Sequence, residues 1–239
     1  MEVRALAGIP EVQAGDDLAA LIAPEVRDGD VVVIAQKVVS KAEGRIRRLA
    51  EVKPTERAVA FAHDFDKDPR LVQVVLDESV SVLRAERGVL ICETRHGFVC
   101  ANAGVDMSNS GDKGVAVLLP VDPDGSARRI RAALNHQVGV LISDSFGRAW
   151  RLGLADVAIG AAGIRVIDDW RGRTDAHGHE LQVTEVAIAD QLASAADLAR
   201  TKDSQEPIVV IRGAAQYVTS DDGPGAGALR RPRELDLFR

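Results

Sequence analysis

The sequence predicts a mixed α/β fold, with α+β character, in which helices cover a buried sheet. Three short runs of apolar and mainly β-branched residues support this prediction: 31–35, 138–142 and 208–211. Each run is continuous rather than alternating, as is typical of strands that are buried on both faces. Segments with helical periodicity lie between these runs, so helices and strands are mixed along the whole chain.

Four segments have the apolar periodicity of amphipathic helices: 16–26, 55–65, 126–136 and 186–199. In the last of them Ile188, Leu192 and Ala196 recur at helical spacing, so one face of that helix should be buried. Between the second and third helices, three apolar runs predict antiparallel strands: 80–83, 89–94 and 98–103. We expect the last two of these strands to be joined by a turn around His96-Gly97.

Two polar segments complete the chain. The stretch 168–180 contains glycines, charged residues and histidines, which predicts an exposed loop or hairpin that serves as a lid or a dimer arm. The tail 219–231 is rich in Gly and Asp, and we expect it to be mobile unless a ligand or partner orders it. The chain otherwise predicts one functional unit over 1–239, with a smaller lobe or arm around 146–184 and no C-terminal nitroreductase-like domain.

Composition limits the classes of function. The 239 residues are 46% hydrophobic, enough for a substantial core, and the net charge of -6 argues against a nucleic-acid partner. No apolar run reaches the roughly 18 residues of a membrane-spanning helix, so we expect a cytoplasmic protein with no membrane partner. Cys92 and Cys100 lie eight residues apart, a spacing that fits neither a zinc knuckle nor a disulfide framework.

Polar residues follow each of the three apolar runs, where ligands bind in open α/β sheets. Asp144 and Ser145 come after the second run, and Asp106 follows the 98–103 strand; their oxygens suit Mg²⁺ or Mn²⁺ shared with phosphate. The alternative for Asp144 is a helix cap. Lys41, after the first run, either neutralises phosphate or is an ordinary solvated charge. From the residues alone, a metal and phosphate site is the interpretation.

Several other sites are excluded or disfavoured by the sequence. No P-loop motif is present, so a Walker-type nucleotide site is excluded, and the lack of a G-x-S-x-G elbow disfavours covalent serine catalysis. His177 and His179 lie in a polar loop without further ligands nearby, which favours surface residues over a metal pair.

Ordered motifs along nearly the whole chain resemble those of the coenzyme F420-0:gamma-glutamyl ligase family, including the ligase half of the two-domain actinobacterial enzymes. The motifs are Gly8-Ile9-Pro10-Glu11-Val12, Asp28-Gly29-Asp30, Lys37-Val38-Val39-Ser40-Lys41 with Glu43-Gly44, Gly104-Val105-Asp106 with Ser108-Asn109, Asp144-Ser145-Phe146-Gly147-Arg148, Gly153, Asp156, Ile159-Gly160-Ala161-Ala162-Gly163 and Ala189-Asp190. Two positions depart from the family pattern. Gln36 replaces a small hydroxyl residue, and Gln191 stands where an acidic residue is usual.

The resemblance implies the positions that bind ligands. The nucleotide positions are Ile9, Pro10, Glu11, Val12, Gln36, Lys41 and Asn109. The metal positions are Asp106 and Asp144, with Ser145 as ligand to a second metal and Gln216 as a further candidate for it. Lys41, Asp144 and Arg148 form the expected catalytic set, Arg148 as a contact to carboxylate or phosphate.

The same resemblance implies the activity. GTP would phosphorylate the terminal carboxylate of coenzyme F420-0, and L-glutamate would attack the acyl phosphate to form an amide. The expected cofactors are two divalent cations, Mg²⁺ or Mn²⁺, together with a monovalent cation such as K⁺. The fold implied is a two-lobed arrangement with a mixed sheet that forms an intertwined homodimer. The alternatives are a metal-dependent nucleotide hydrolase or phosphotransferase and a non-catalytic GTP-binding protein.

Overall fold

The computed structural model of the chain describes residues 1–107, 114–201 and 204–237. The strands are β1 (Glu2–Ala5), β2 (Val31–Ala35), β3 (Ile46–Arg48), β4 (Ser79–Glu86), β5 (Val89–Thr94), β6 (Val99–Ala101), β7 (Val115–Val117), β8 (Gly139–Arg148), β9 (Arg151–Ala162), β10 (Asp168–Asp169), β11 (Glu185–Val186) and β12 (Ile208–Arg212). The α-helices are α1 (Leu18–Ile22), α2 (Gln36–Ala42), α3 (Glu56–Phe65), α4 (Pro69–Asp77), α5 (Pro123–Ala133) and α6 (Ile188–Ala199). The predicted mixed α/β class is confirmed.

The main sheet has the strand order β1-β12-β2-β8-β9. Strands β2 and β8 run parallel, whereas β12 lies antiparallel to β2 and β9 antiparallel to β8. Alternate residues of β2 enter different cores: Val32 and Ile34 join the cluster with α1 and α2, while Val31 and Val33 join the cluster with α6. The central strand is therefore buried on both faces, as its continuous apolar run predicted.

The strand that contains the second apolar run is longer than predicted. Strand β8 continues past Ile142 to Arg148 and turns back as β9, and the residues that pair across this hairpin extend to Arg148 and Arg151. Asp144 is thus inside a strand, and its alternative interpretation as a helix cap is wrong. The mostly polar segment 143–148 has no continuous apolar run, so the sequence did not predict a strand there. The strand forms because β9 supplies its hydrogen-bond partners.

A second pair of apolar clusters lies between residues 49 and 118. Helices α3 and α4 pack on the antiparallel sheet β4-β5-β6, and β3 pairs with β7 beside them. The turn joining β5 and β6 lies at His96-Gly97, as predicted, with Gly97 at a φ of 83°. Helix α4 was not predicted, although Asp68 caps it and Pro69 occupies its first turn, both of which are sequence signals for a helix start.

The two polar segments behave differently. The segment between β10 and β11 forms an exposed hairpin, with a bridge between Thr174 and Glu180, as predicted. The tail near 219–231, predicted to be mobile, is instead held by α5. The Arg131 guanidinium donates to Asp222 Oδ1 at 2.8 Å and to the Thr219 carbonyl at 3.0 Å. Of the helices in the described part of the chain, none has the length and hydropathy needed to cross a bilayer.

Candidate functional site

The candidate site lies at the carboxyl ends of the parallel strands β2 and β8. Their register pairs Ala35 with Ser143, so α2 begins at Gln36 beside the point where β8 presents Asp144. Because both strands run in the same direction, the residues that follow their apolar runs meet at one edge of the sheet. The sequence predicted that these two segments carry the polar groups of one site, and the structure brings both segments to the same edge of the sheet.

Helix α2 directs two lysines toward acidic partners. The Lys37 Nζ lies 2.7 Å from Asp106 Oδ2, and the Lys41 Nζ lies 2.5 Å from Glu11 Oε1. Four residues separate the lysines, so both lie on one face of the helix. Lys41 is 15% exposed whereas Glu11 is 65% exposed, so the ammonium group is recessed and its partner faces solvent. The two ion pairs attach the loop near Glu11 and the segment of Asp106 to the same helix.

The loop of residues 9–12 combines buried and exposed positions. Val12 is buried and Ile9 packs against the core cluster beneath α2, while Pro10 and Glu11 are exposed. The apolar members therefore fix the path of the loop, and Pro10 and Glu11 remain open to a ligand.

Asp144 is half-buried and points to the face of β8 that carries α2. Burial raises the pKa of its carboxyl group to about 7, and the carboxylate of Asp156 acts in the same direction. The carboxylate of Asp106 also raises this pKa, whereas Lys37 lowers it. The carboxyl groups of Asp144 and Asp106 therefore lie near the ammonium group of Lys37, and a cation bound beside them would relieve the repulsion between the two acids.

Ser145 lies next to Asp144 in sequence but on the opposite face of β8, since successive side chains of a strand alternate. Its hydroxyl group donates to Asp156 Oδ1 at 2.6 Å. The Ser143 hydroxyl donates to the other oxygen of the same carboxylate at 2.9 Å, and the Arg200 guanidinium pairs with that oxygen. The side chains of Asp144 and Ser145 therefore do not converge on one point, although the sequence placed both at the metal site.

Gln36 is buried at the start of α2. Its Oε1 accepts a hydrogen bond of 2.9 Å from the Ser40 hydroxyl group, one helical turn later. Its Nε2 is buried and has no hydrogen-bond partner among the residues that the structure describes. An unsatisfied buried donor costs about 1–3 kcal/mol, so a hydrogen bond from this amide to an acceptor atom of a bound ligand would be favourable.

Two other predicted residues, Arg148 and Gln216, do not join this group within one chain. Arg148 is exposed at the tip of the β8–β9 hairpin, where it donates to the Leu152 carbonyl, and four residues of extended strand, about 13 Å, separate it from Asp144. Gln216 follows β12, which runs antiparallel to β2, and so lies at the opposite end of the sheet. The same reversal takes Arg212 away from the site. Asn109 lies outside the described residues.

The sequence also missed three residues. Lys37 was noted beside Lys41 but given no role, and its spacing of four residues from Lys41 was the available signal, once α2 is recognised as a helix. Asp156 and Arg200 were given no role either. No local pattern connects Asp156 and Arg200, because 44 residues separate them.

The residues present suit a divalent cation that arrives with phosphate. In the parts of the chain that are described, no group of three or more His, Cys, Asp or Glu side chains forms a complete metal cage. Asp106 and Asp144 nevertheless offer hard oxygen donors close together. Mg²⁺ is commonly held by one or two carboxylates together with substrate phosphates and water, so a pair of aspartates is sufficient for such an ion.

Known proteins match this chain along most of its length. The family model of the F420-0:gamma-glutamyl ligases matches residues 8–213. A relative from Methanothermobacter thermautotrophicus is 47% identical, over 97% of this chain and 96% of the relative. A relative from Methanopyrus kandleri is 46% identical, over 96% and 94%, and one from Methanocaldococcus jannaschii is 43% identical, over 97% and 94%. All three are described as coenzyme F420:L-glutamate ligases.

Proposed function

Because this chain belongs to the F420-0:gamma-glutamyl ligase family, we propose that it joins L-glutamate to coenzyme F420-0 in the biosynthesis of coenzyme F420. It is a ligase, as its full-length relatives are. The observation that carries the proposal is the convergence of Lys37, Lys41, Asp106 and Asp144 at the carboxyl edge of β2 and β8. That group of charges suits a nucleotide phosphate and the cation that accompanies it.

GTP is the proposed phosphate donor. The loop of residues 9–12, Gln36 and Lys41 surround the same edge of the sheet, and Asn109 belongs to the proposed set by resemblance. The recessed ammonium group of Lys41 would offset charge on the phosphates. The Gln36 Nε2, which lacks a partner among the described residues, supports a contact to an acceptor atom of the nucleotide.

Asp106 and Asp144 would hold a divalent cation, Mg²⁺ or Mn²⁺. Such an ion neutralises phosphate charge and orients the transferred group. A second divalent ion with Ser145 and Gln216 as ligands, and a monovalent ion such as K⁺, remain predictions. Within one chain Gln216 lies at the opposite end of the sheet from Ser145. An ion bound by both residues would therefore require one of them to come from a second chain.

The proposed reaction has two steps. A terminal carboxylate oxygen of F420-0 attacks the γ-phosphorus of GTP, and the bond from that phosphorus to the bridging oxygen breaks as GDP leaves. The amine of L-glutamate then attacks the acyl carbon, loses a proton and displaces inorganic phosphate. Catalysis of this kind depends mainly on positioning and on neutralising charge, which the lysines and aspartates of the site would supply.

We also propose a homodimer, with the β8–β9 hairpin as its arm. The tip of this hairpin exposes Trp150 at 80%, Leu152 at 97% and Leu154 at 64% of their surfaces. Apolar side chains exposed together at the end of a projecting hairpin favour contact with another protein surface. A second copy of the chain would cover them and could bring residues such as Arg148 to its partner's site.

The test is mass spectrometry of F420-0 incubated with the purified protein, L-glutamate, GTP and Mn²⁺, with each component omitted in turn. A product heavier by one or more glutamyl residues, formed only in the complete mixture, is the expected result. Release of GDP without a change in the mass of F420-0 would favour the hydrolase or phosphotransferase instead. GTP binding with no turnover of any kind would leave a non-catalytic GTP-binding protein.

A further inference from the structure

We propose that Asp156, paired with Arg200, is a positioning residue that fixes β8 on both sides of Asp144. This inference rests on the proposed function only in that Asp144 is taken as a cation ligand. The pair touches neither the proposed nucleotide nor the proposed cation. It acts through the strand that carries Asp144.

The geometry of the Asp156 carboxylate supports this role. Asp156 is only 1% exposed, and each of its carboxylate oxygens accepts a hydrogen bond from a hydroxyl group of β8: Oδ1 from Ser145 and Oδ2 from Ser143. These serines are the residues immediately before and after Asp144. One side chain on β9 therefore holds the strand at two points, and the residue between those points projects from the opposite face.

Arg200 compensates for the burial of this carboxylate. Its guanidinium group pairs with Asp156 Oδ2, donates to the Ser143 hydroxyl at 2.8 Å and donates to the Pro207 carbonyl at 3.0 Å. Arg200 directly follows α6, so the end of that helix is connected to the strand of the candidate site. The Ser194 hydroxyl on the same helix donates to the Asp156 carbonyl at 2.9 Å and adds a second attachment.

The clamp matters for Asp144 because the position of its carboxylate is set by the backbone of β8. The carboxylates of Asp144 and Asp106 repel each other, so a loosely held strand would let the Asp144 side chain turn away from Asp106. With Ser143 and Ser145 both fixed, β8 has little freedom to rotate and relieve that repulsion, so the carboxylate remains where a cation can use it. Groups that orient a metal ligand through a second layer of contacts typically change metal affinity 10–100-fold when they are removed.

The test compares Asp156→Asn with a matched buried pair elsewhere in the sheet. Asp30 is 2% exposed and pairs with Arg212 at 3.2 Å, at the opposite end of β2. Mn²⁺ binding is measured in the presence of GTP by the electron paramagnetic resonance signal of the free ion. We expect Asp156→Asn to weaken Mn²⁺ binding at least about tenfold and Asp30→Asn to leave it within about twofold, with both variants losing thermal stability.

A second variant covers the case in which Asp156→Asn fails to fold because Arg200 is left uncompensated. Asp156→Asn combined with Arg200→Gln removes both charges and should fold, yet should still bind Mn²⁺ at least about tenfold more weakly. Amide hydrogen exchange at residues 143–146 should also become faster in this double variant. Unchanged Mn²⁺ binding and unchanged exchange in the folded double variant would overturn the clamp.

Asp144→Ala separates this inference from the proposed function. If Asp144→Ala abolishes Mn²⁺ binding but the Asp156 variants bind normally, the cation site stands and the clamp is wrong. If Asp144→Ala binds Mn²⁺ as the wild type does, Asp144 is not a ligand, and both the proposed cation site and the clamp fall. Weakened binding in all of these variants, with Asp30→Asn unaffected, supports both.

Discussion

Asp144→Asn should make the metal-free protein more stable while it removes ligase activity. The substitution keeps the size of the side chain and deletes a carboxylate whose pKa is raised to about 7 by burial and by neighbouring acids. In the unfolded chain the same group has its ordinary pKa of 3.8. Folding therefore takes up a proton at intermediate pH, and above pH 7 it forces the charge into an unfavourable position.

The magnitude follows from this difference in pKa. A change from 3.8 to about 7 corresponds to about 4 kcal/mol at pH 8, as an upper limit. The side chain is partly exposed, and an asparagine must find its own hydrogen bonds, so we expect about 2 kcal/mol. For a chain of this size that gain corresponds to a rise in Tm of about 4–8 °C.

The pH dependence of stability tests whether the pKa of Asp144 is raised in the folded protein. The folded form binds the proton more tightly than the unfolded form, so the wild type loses stability as the pH rises from about 4 to 7. The gain from Asp144→Asn should therefore be largest at pH 8 and mostly absent at pH 4.5. Urea denaturation of both proteins in the presence of a chelator, at these two pH values, measures it.

Asp169→Asn provides a control of opposite sign. Arg171 holds the pKa of the exposed Asp169 carboxyl at about 2, so removal of that charge should not stabilise the protein at pH 8. If Asp144→Asn proved less stable than the wild type at pH 8, or gained the same stability at both pH values, the raised pKa would be the wrong description of this carboxyl group.

Four further predictions test other parts of the molecule. Lys41→Ala should raise the KM for GTP about 10–100-fold, the value of a lost hydrogen bond between charged groups, and unchanged GTP kinetics would place the phosphates elsewhere. Burial raises the pKa of the Cys100 thiol to about 12, so thiol reagents at pH 8 should label it only after urea is added; rapid labelling of the native protein would contradict this. Arg131→Ala should destabilise the protein by about 3 kcal/mol and expose the tail to limited proteolysis. A tail that stays resistant to proteolysis would show that other contacts hold residues 219–231. Leu152→Asp should shift the proposed dimer toward monomer in analytical ultracentrifugation, whereas a monomeric wild type would refute the arm contact.

Much of the fold could be predicted because its signals are local. The continuous run at Val31–Ala35 is buried on both faces, and α6 buries Ile188 and Leu192 as its periodicity requires. The spacing of apolar residues in a helix or strand is visible within a few residues, and it shows which face is buried. The segments after β2 and β8 were grouped on the expectation that strand ends meet at one edge, and the parallel pairing of these two strands brings them together.

The direction and extent of strands were not in the sequence. Nothing in the run at Ile208–Arg212 distinguishes a parallel from an antiparallel neighbour, yet that choice takes Arg212 and Gln216 to the far end of the sheet. Likewise, the hydrogen bonds from β9 extend β8 and place Arg148 at the tip of a hairpin. These outcomes depend on pairing between distant segments, which local propensity does not determine.

The sequence by itself determined the class of fold and its family, and it singled out Lys41, Asp106 and Asp144 as the charged residues of the proposed site. Only the tertiary structure decided that Lys37 meets Asp106, that Ser145 turns away from Asp144, and that Asp156 and Arg200 lie beneath the same strand. The physical reason is that residue type and period are properties of short segments. The face on which a polar side chain lies, and the partner it meets there, are fixed by strand register and by packing across the whole chain.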